Sequence, residues 1–398
     1  MGLALGGFPL PLTVDHHQHH LLLSGASRPS AAVVPPLCPG WFLDALASCR
    51  PSDQCPLLPV QPTQHRLLPA LAHPCVVPWI DAGFLCHLHR LGDTMNWAAL
   101  FHEPADAIAA WSTPKGLLDA LQAQGEMVHR FPFRAPTPGQ FPDPRALLPL
   151  QLDVLLVFYA GQSLALEQWM AAIRMAFDDA ALPILVVSEL GDEPQTRALN
   201  TTRVQLSDLC LTPDPDCALY WSALGARCHW FPHWADRQLF DQIADVSRRP
   251  MIATTMGRRR YGTLLRCLFG RRFVNRHCLE RENTVLYNSA LLAFQYARWG
   301  ELTRRVFEAA ACGCCVVTNR LSPSKKLENL FVNGESIVLY RHSLDLVFKL
   351  IYYLWFAPQK ALAIGQRAQS IVISHHSVEA RALTLIRLVQ NDAEAAHQ

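Results

Sequence analysis

From about residue 95 to residue 391, short apolar runs alternate with stretches of helical period. Residues 153–158 are the clearest run, a series of Val and Leu that reads as a parallel strand buried on both faces. Residues 96–101, 127–133, 183–188, 204–211 and 228–234 read as further strands. Between the first two, residues 114–124 place Leu117, Leu118 and Leu121 on one stripe and close at Gly125, as an amphipathic helix does. Helices follow over 164–179 and 217–224, and the proline-rich residues 134–149 read as a loop. A polar crossing, residues 241–250, ends in Arg248-Arg249-Pro250. Beyond it come a strand at 251–255, a helix opening near Thr263, and a strand or short helix at 291–296. Residues 304–312 form a helix with Gly313 at its left-handed cap, followed by a strand at 314–318. A short helix at 327–331, a turn at Asn333-Gly334, a strand at 336–340 and helices at 343–356, 358–371 and 378–391 complete the pattern. This alternation predicts an open α/β architecture.

The first 94 residues break the pattern. They contain no Glu or Lys but hold 13 of the 29 prolines and eight of the 17 histidines, so neither helix period nor strand alternation is sustained. They read as a low-order Pro/His-rich extension, with the functional start at Met95. A metal module built on His16, His17, His19, His20 and the five local cysteines is the sharper alternative, but it lacks ligand pairs at zinc spacing. The division expected is therefore 1–94, an N-terminal α/β domain at 95–247, and a C-terminal α/β domain at 248–391.

Composition narrows the classes. A formal charge of +2 gives no global case for nucleic acid. Cys312 and Cys315 form a C-x-x-C with no second pair to complete a zinc site, and the scattered thiols read as reduced, in a cytoplasmic protein. No run of 18 apolar residues predicts a membrane span. Asp214 and Asp216 make an Asp-x-Asp that either chelates a metal or caps the next helix; the adjoining prolines favour the cap. Seven arginines lie between Gly257 and Arg276, as a solvated helix face or a patch for anionic lipid headgroups.

Residues 304–340 carry the most specific signal. Arg305, Phe307, Glu308, Ala309, Ala311, Cys312 and Gly313 spell R-x-F-E-A-x-A-C-G, and Leu330, Phe331, Gly334 and Glu335 spell L-F-x-x-G-E. Pro232, Asp236 and Phe240 fit a pattern leading into an interdomain linker, and Val372, His376, Arg381 and Ala382 fit a C-terminal one, with Gly365 upstream. Together these resemble bacterial GT-B glycosyltransferases, of the family-1-like, spore-maturation-protein type. The resemblance implies two doubly wound, Rossmann-like domains facing across a cleft, with the tail crossing back onto the N-terminal one. It implies transfer of a sugar from a nucleotide-sugar donor to a glycan, lipid or protein acceptor, with no cofactor and no obligatory metal. Where many GT-B enzymes carry a first glutamate eight positions before the second, this chain has Gly300.

The resemblance assigns Glu308 to the ribose hydroxyls, which suits an acceptor-only carboxylate. It puts Gly257, Arg258 and Arg260 beside the donor diphosphate, where a glycine turn entering a helix offers N–H groups and arginine adds planar donors. Arg304 and Arg305 open the helix, and either one of them reaches a phosphate or both pair with acids on neighbouring turns. A base for an inverting reaction is expected from His102 or Glu103, at the end of the first strand. Asp192 follows the strand at 183–188, where open sheets bind ligands, or caps the next helix. The rival readings are a nucleotide-sugar epimerase or hydrolase on the same scaffold, and a non-catalytic membrane-surface or assembly protein.

Overall fold

Parallel strands buried on both faces need helices above and below them, and the chain supplies both. The computed structural model describes residues 94–103, 112–158, 161, 163–177, 182–190, 194–255, 261–276, 280–297 and 302–396. These lie within one unit, Ala82–Gln398. The expectations for residues 1–93, for Asp192, and for Gly257, Arg258 and Arg260 fall outside the described residues.

The first sheet comprises β1 (Asn96–His102), β2 (Met127–Phe133), β3 (Val154–Phe158), β4 (Ile184–Ser188), β5 (Leu209–Thr212) and β6 (Cys228–Trp230), in the order β2-β1-β3-β4-β5-β6 and parallel throughout. Its helices are α1 (Ser112–Ala123), α2 (Leu164–Ala176), α3 (Pro194–Leu206) and α4 (Pro215–Ala223). Strand β3 shows why an unbroken apolar run was required. Val154, Leu156 and Phe158 face one core with Leu117 and Leu121, while Leu155 and Val157 face the other with Met170 and Ile173. Pro132 sits within β2, an edge strand, where a missing donor is tolerated. Ser163 caps α2 by accepting from the Leu166 amide at 3.1 Å.

The second sheet comprises β7 (Arg249–Thr254), β8 (Phe273–Asn275), β9 (Ala290–Phe294), β10 (Cys315–Asn319) and β11 (Val338–Tyr340), in the order β11-β10-β9-β7-β8 and parallel. Around it lie α5 (Gly262–Phe269), α6 (Glu280–Ser289), α7 (Arg304–Ala311), α8 (Ser343–Ile351) and α9 (Pro358–His375). One face packs Ala253, Ala293 and Val316 against Ala309, Ala310 and Ala368, and the other packs Ile252, Leu292 and Val317 against Leu265 and Leu346.

The last helix, α10 (Val378–Ala396), leaves the second sheet. The chain crosses at Ala235, whose amide donates to His376 O and whose carbonyl accepts from Val378 N, both at 3.0 Å. Val378, Ala382, Leu385 and Val389 then complete the core of the first sheet beside Leu117 and Leu118.

Four readings are corrected. Val204–Leu206 end helix α3, and the strand begins only at Leu209. The strand expected over 228–234 stops at Trp230. The loop at 134–149 contains a one-turn helix, Pro144–Leu147, capped by Asp143. The helix at 343–356 turns π-helical over Tyr352–Phe356.

Gly365 marks a close approach. A Cβ there would collide with the Gly313 carbonyl and lie 3.1 Å from the Cys315 amide, both of them backbone. Gly365→Ala must therefore push α9 off the α7–β10 turn and is expected to cost about 3 kcal/mol. Urea denaturation should show a lowered midpoint with an unchanged slope.

Candidate active site at the ends of the parallel strands

In a parallel sheet ordered β11-β10-β9-β7-β8, the strand order reverses between β7 and β9, and ligands bind beyond the carboxyl ends of such a pair. Thr255 follows β7 there, and Gln295 follows β9. The Tyr287 hydroxyl joins them. It lies 3.1 Å from Thr255 Oγ1 and accepts from Gln295 Nε2 at 3.1 Å. All three side chains are buried.

Glu308 borders this cluster from α7. Its charge raises the Tyr287 pKa, second only to burial. Glu308 is half-buried rather than aimed into bulk solvent. Burial pushes its pKa up, and the Arg304 and Arg305 guanidiniums pull the other way. A carboxylate held at a desolvation cost beside a polar cluster is poised to accept donors from a ligand.

Arg305 keeps part of its surface exposed at the start of α7. Arg304 pairs across to the first sheet, its Nη2 lying 3.1 Å from Glu189 Oε1 at the carboxyl end of β4. Glu189 has φ +60°, and this backbone turn re-aims its side chain. Sequence reasoning stopped at Asp192 and passed over Glu189, although it stands first in the same polar stretch. Thr255, Tyr287 and Gln295 were not singled out; for Thr255 and Gln295 the available signal was a position just beyond a strand end, whereas Tyr287 reaches them from helix α6.

A second crossing lies nearby. Asp214 caps α4, accepting from the Asp216 and Cys217 amides, so the capping reading of the Asp-x-Asp holds. Lys325 Nζ, from the turn after β10, lies 2.6 Å from Asp214 and 2.9 Å from Asp216. His233, beyond β6, is half-buried, and burial with Arg304 and Arg381 nearby pushes its pKa down to about 3. It is therefore neutral at ordinary pH.

In the first sheet the reversal falls between β1 and β3, and His102 and Glu103 stand at that end of β1. His102 Nε2 is 2.9 Å from the Arg134 carbonyl, which can only accept. Nε2 is therefore the donor in this contact. Glu103 forms an ion pair with Lys115. Gly257, Arg258 and Arg260 are flanked by Thr255 and by Tyr261, which enters α5 at φ +75°. A groove of about 780 Å³ lies elsewhere, at the amino ends of β4 and β5 near Ile184, Asp208 and Arg227, away from this chemistry.

Two parallel α/β sheets meeting at their carboxyl ends, with the final helix returned to the first, define the GT-B class. Residues 237–387 match the family described as glycosyl transferase-like. Among solved structures, sucrose-phosphate synthase from Thermosynechococcus elongatus is similar at TM-score 0.53 and 14% identity, covering 76% of this chain and 100% of that one. Anabaena HepE, in complex with UDP and glucose, is similar at TM-score 0.50 and 13% identity, covering 75% and 100%. An alpha-glucosyltransferase in complex with UDP and DNA is similar at TM-score 0.52 and 9% identity, covering 75% and 100%. None of the curated proteins matches the chain. The chain thus has the GT-B fold, and the segment that holds Glu308 is the part similar to the glycosyl transferase-like family.

Proposed function

We propose that the chain transfers a sugar from a nucleoside-diphosphate donor held over β7 and β9, with Glu308 accepting hydrogen bonds from the ribose hydroxyls. The observation that carries this is the placement of Glu308, a carboxylate kept at a desolvation cost beside Thr255, Tyr287 and Gln295 at the strand reversal. Gly257, Arg258 and Arg260 stand in sequence between β7 and α5, and we assign them to the diphosphate. Arg305 supplies further positive charge. UDP is the first donor base to test, because two of the similar structures are complexes with it.

Transfer to an acceptor hydroxyl with inversion needs a base on the side of the first sheet. His102 and Glu103 are the two candidates at that end of β1, and the His102 Nε2 lies 2.9 Å from the Arg134 carbonyl. Glu103 is engaged with Lys115. No metal or cofactor is assigned a step. The acceptor is a glycan, lipid or protein hydroxyl, and a place at the inner face of a membrane would suit a lipid.

A thermal-shift screen against UDP, GDP, ADP and TDP tests the reading. One diphosphate should raise the melting temperature of the wild type and lose that effect in Glu308→Ala. A shift of equal size in both proteins would refute the assignment.

A further inference from the structure

Helix α8 and the π-helical turn Tyr352–Phe356 bury Leu346, Leu350, Tyr353 and Leu354 against the second sheet. Their other side is also apolar. Leu344, Phe348 and Tyr352 recur four residues apart and are exposed, followed by Trp355 and Phe356. Phe348 is 69% exposed and Phe356 77%, values that a water-facing helix gives to charged side chains. Helix α5 repeats the arrangement, with Leu265 and Phe269 inside and Leu264, Cys267 and Leu268 outside.

The two elements form one surface. Phe269 and Trp355 stack with centroids 5.7 Å apart, and the Arg272 guanidinium lies over the same Trp355 ring at 5.5 Å. Arg266, Arg271 and Arg272 are exposed along this edge. The chain has no Asp or Glu from residue 246 to 279 or from 346 to 378. On the same helix, the Asp345 carboxylate is paired with Lys349 at 3.0 Å.

We propose that this face docks on an anionic lipid bilayer, with Phe348, Trp355 and Phe356 entering the headgroup layer and Arg266, Arg271 and Arg272 meeting lipid phosphates. Three features select lipid. Trp and Tyr, amphipathic rings, favour the water–hydrocarbon boundary. An amphipathic helix lying in that boundary needs cations around an apolar stripe, as here. A second copy of this chain would bring the same arginines against one another with no carboxylate between them. Among the described residues no helix is long and apolar enough to cross a membrane, so the attachment is peripheral. The inference does not depend on the donor assignment.

The test is cosedimentation of the full chain with phosphatidylcholine vesicles, with and without phosphatidylglycerol. Binding should be about tenfold stronger with the anionic lipid and should fall as salt rises. Phe348→Ser with Phe356→Ser should abolish it, and Arg266→Glu with Arg271→Glu should remove the preference for phosphatidylglycerol, both with an unchanged melting temperature. If the serine variant fails to fold, the exposed arginine variant decides alone. Equal binding to both vesicle types, or binding untouched by the arginine variant, would overturn the proposal. So would a wild-type dimer that the serine variant converts to monomer without any lipid binding in either protein.

Discussion

Replacing Glu308 with alanine is expected to weaken donor binding about a hundredfold while leaving the protein at least as stable. Hydrogen bonds to a charged acceptor contribute about 1.5–3 kcal/mol each, and a ribose offers two hydroxyls, so roughly 3 kcal/mol is at stake. The stability half follows from the raised pKa of Glu308, whose first cause is burial. Its ionised form is less favourable in the folded chain than in the unfolded one. Removing it relieves a cost, as is common for groups held in place for function. Isothermal titration with the donor diphosphate and thermal melting read the two halves separately. Glu308→Gln keeps the shape and one acceptor and should lose about tenfold. A steep drop in melting temperature with unchanged affinity would make Glu308 a packing residue.

The same carboxylate sets a pH dependence. Its folded pKa lies above the ordinary 4.5, so its protonated form is favoured in the fold and stability from this group declines as pH rises through the folded value. Ribose hydroxyls favour the ionised form, so binding works against burial and lowers the pKa again. Donor affinity should therefore climb with pH from about 4.5 upward and then level off. Proton release on binding, seen as different apparent enthalpies in two buffers, should occur only in that interval and vanish in Glu308→Ala.

The parts of this site that sequence reading reached are those with a local signature. The α7 helix and its cap were legible because the apolar period runs into Gly313, which takes the left-handed φ of +70° that few other residues adopt easily. Strand β3 was legible because burial on both faces leaves no polar position in it. Val204–Leu206 misled because a β-branched residue and a leucine before Leu209–Thr212 look like one longer strand, although Ser207 and Asp208 break it. The three-residue edge strand β8 is too short to leave a pattern among arginines. Glu308 itself was found through a family resemblance, since one helix glutamate has no distinguishing period. The pairs Glu189–Arg304 and Asp214–Lys325 were out of reach, for partners 115 and 111 residues apart leave no trace in local spacing.

Arg248 illustrates how a residue read only as part of a polar crossing supports that site. Its guanidinium donates from Nη1 to the Tyr287 carbonyl at 2.9 Å and the Ala290 carbonyl at 2.8 Å, and from Nη2 to the Cys312 carbonyl. It thus ties the end of α6, the start of β9 and the end of α7 to the strand that opens the second sheet. These are the elements that place Tyr287 and Glu308. Arg248→Ala would strip the three carbonyls of a charged donor, and the expected cost is about 3 kcal/mol. Arg248→Lys should recover only part of this, because an ammonium cannot present planar donors in three fixed directions. The loss should reach beyond stability. With α6 and α7 no longer pinned to each other, Tyr287 and Glu308 drift apart, and donor affinity should fall even at temperatures where the variant remains folded. Denaturant midpoints and donor titration at low temperature separate the two effects. A variant that melts early yet binds the diphosphate normally would reduce Arg248 to a structural clamp.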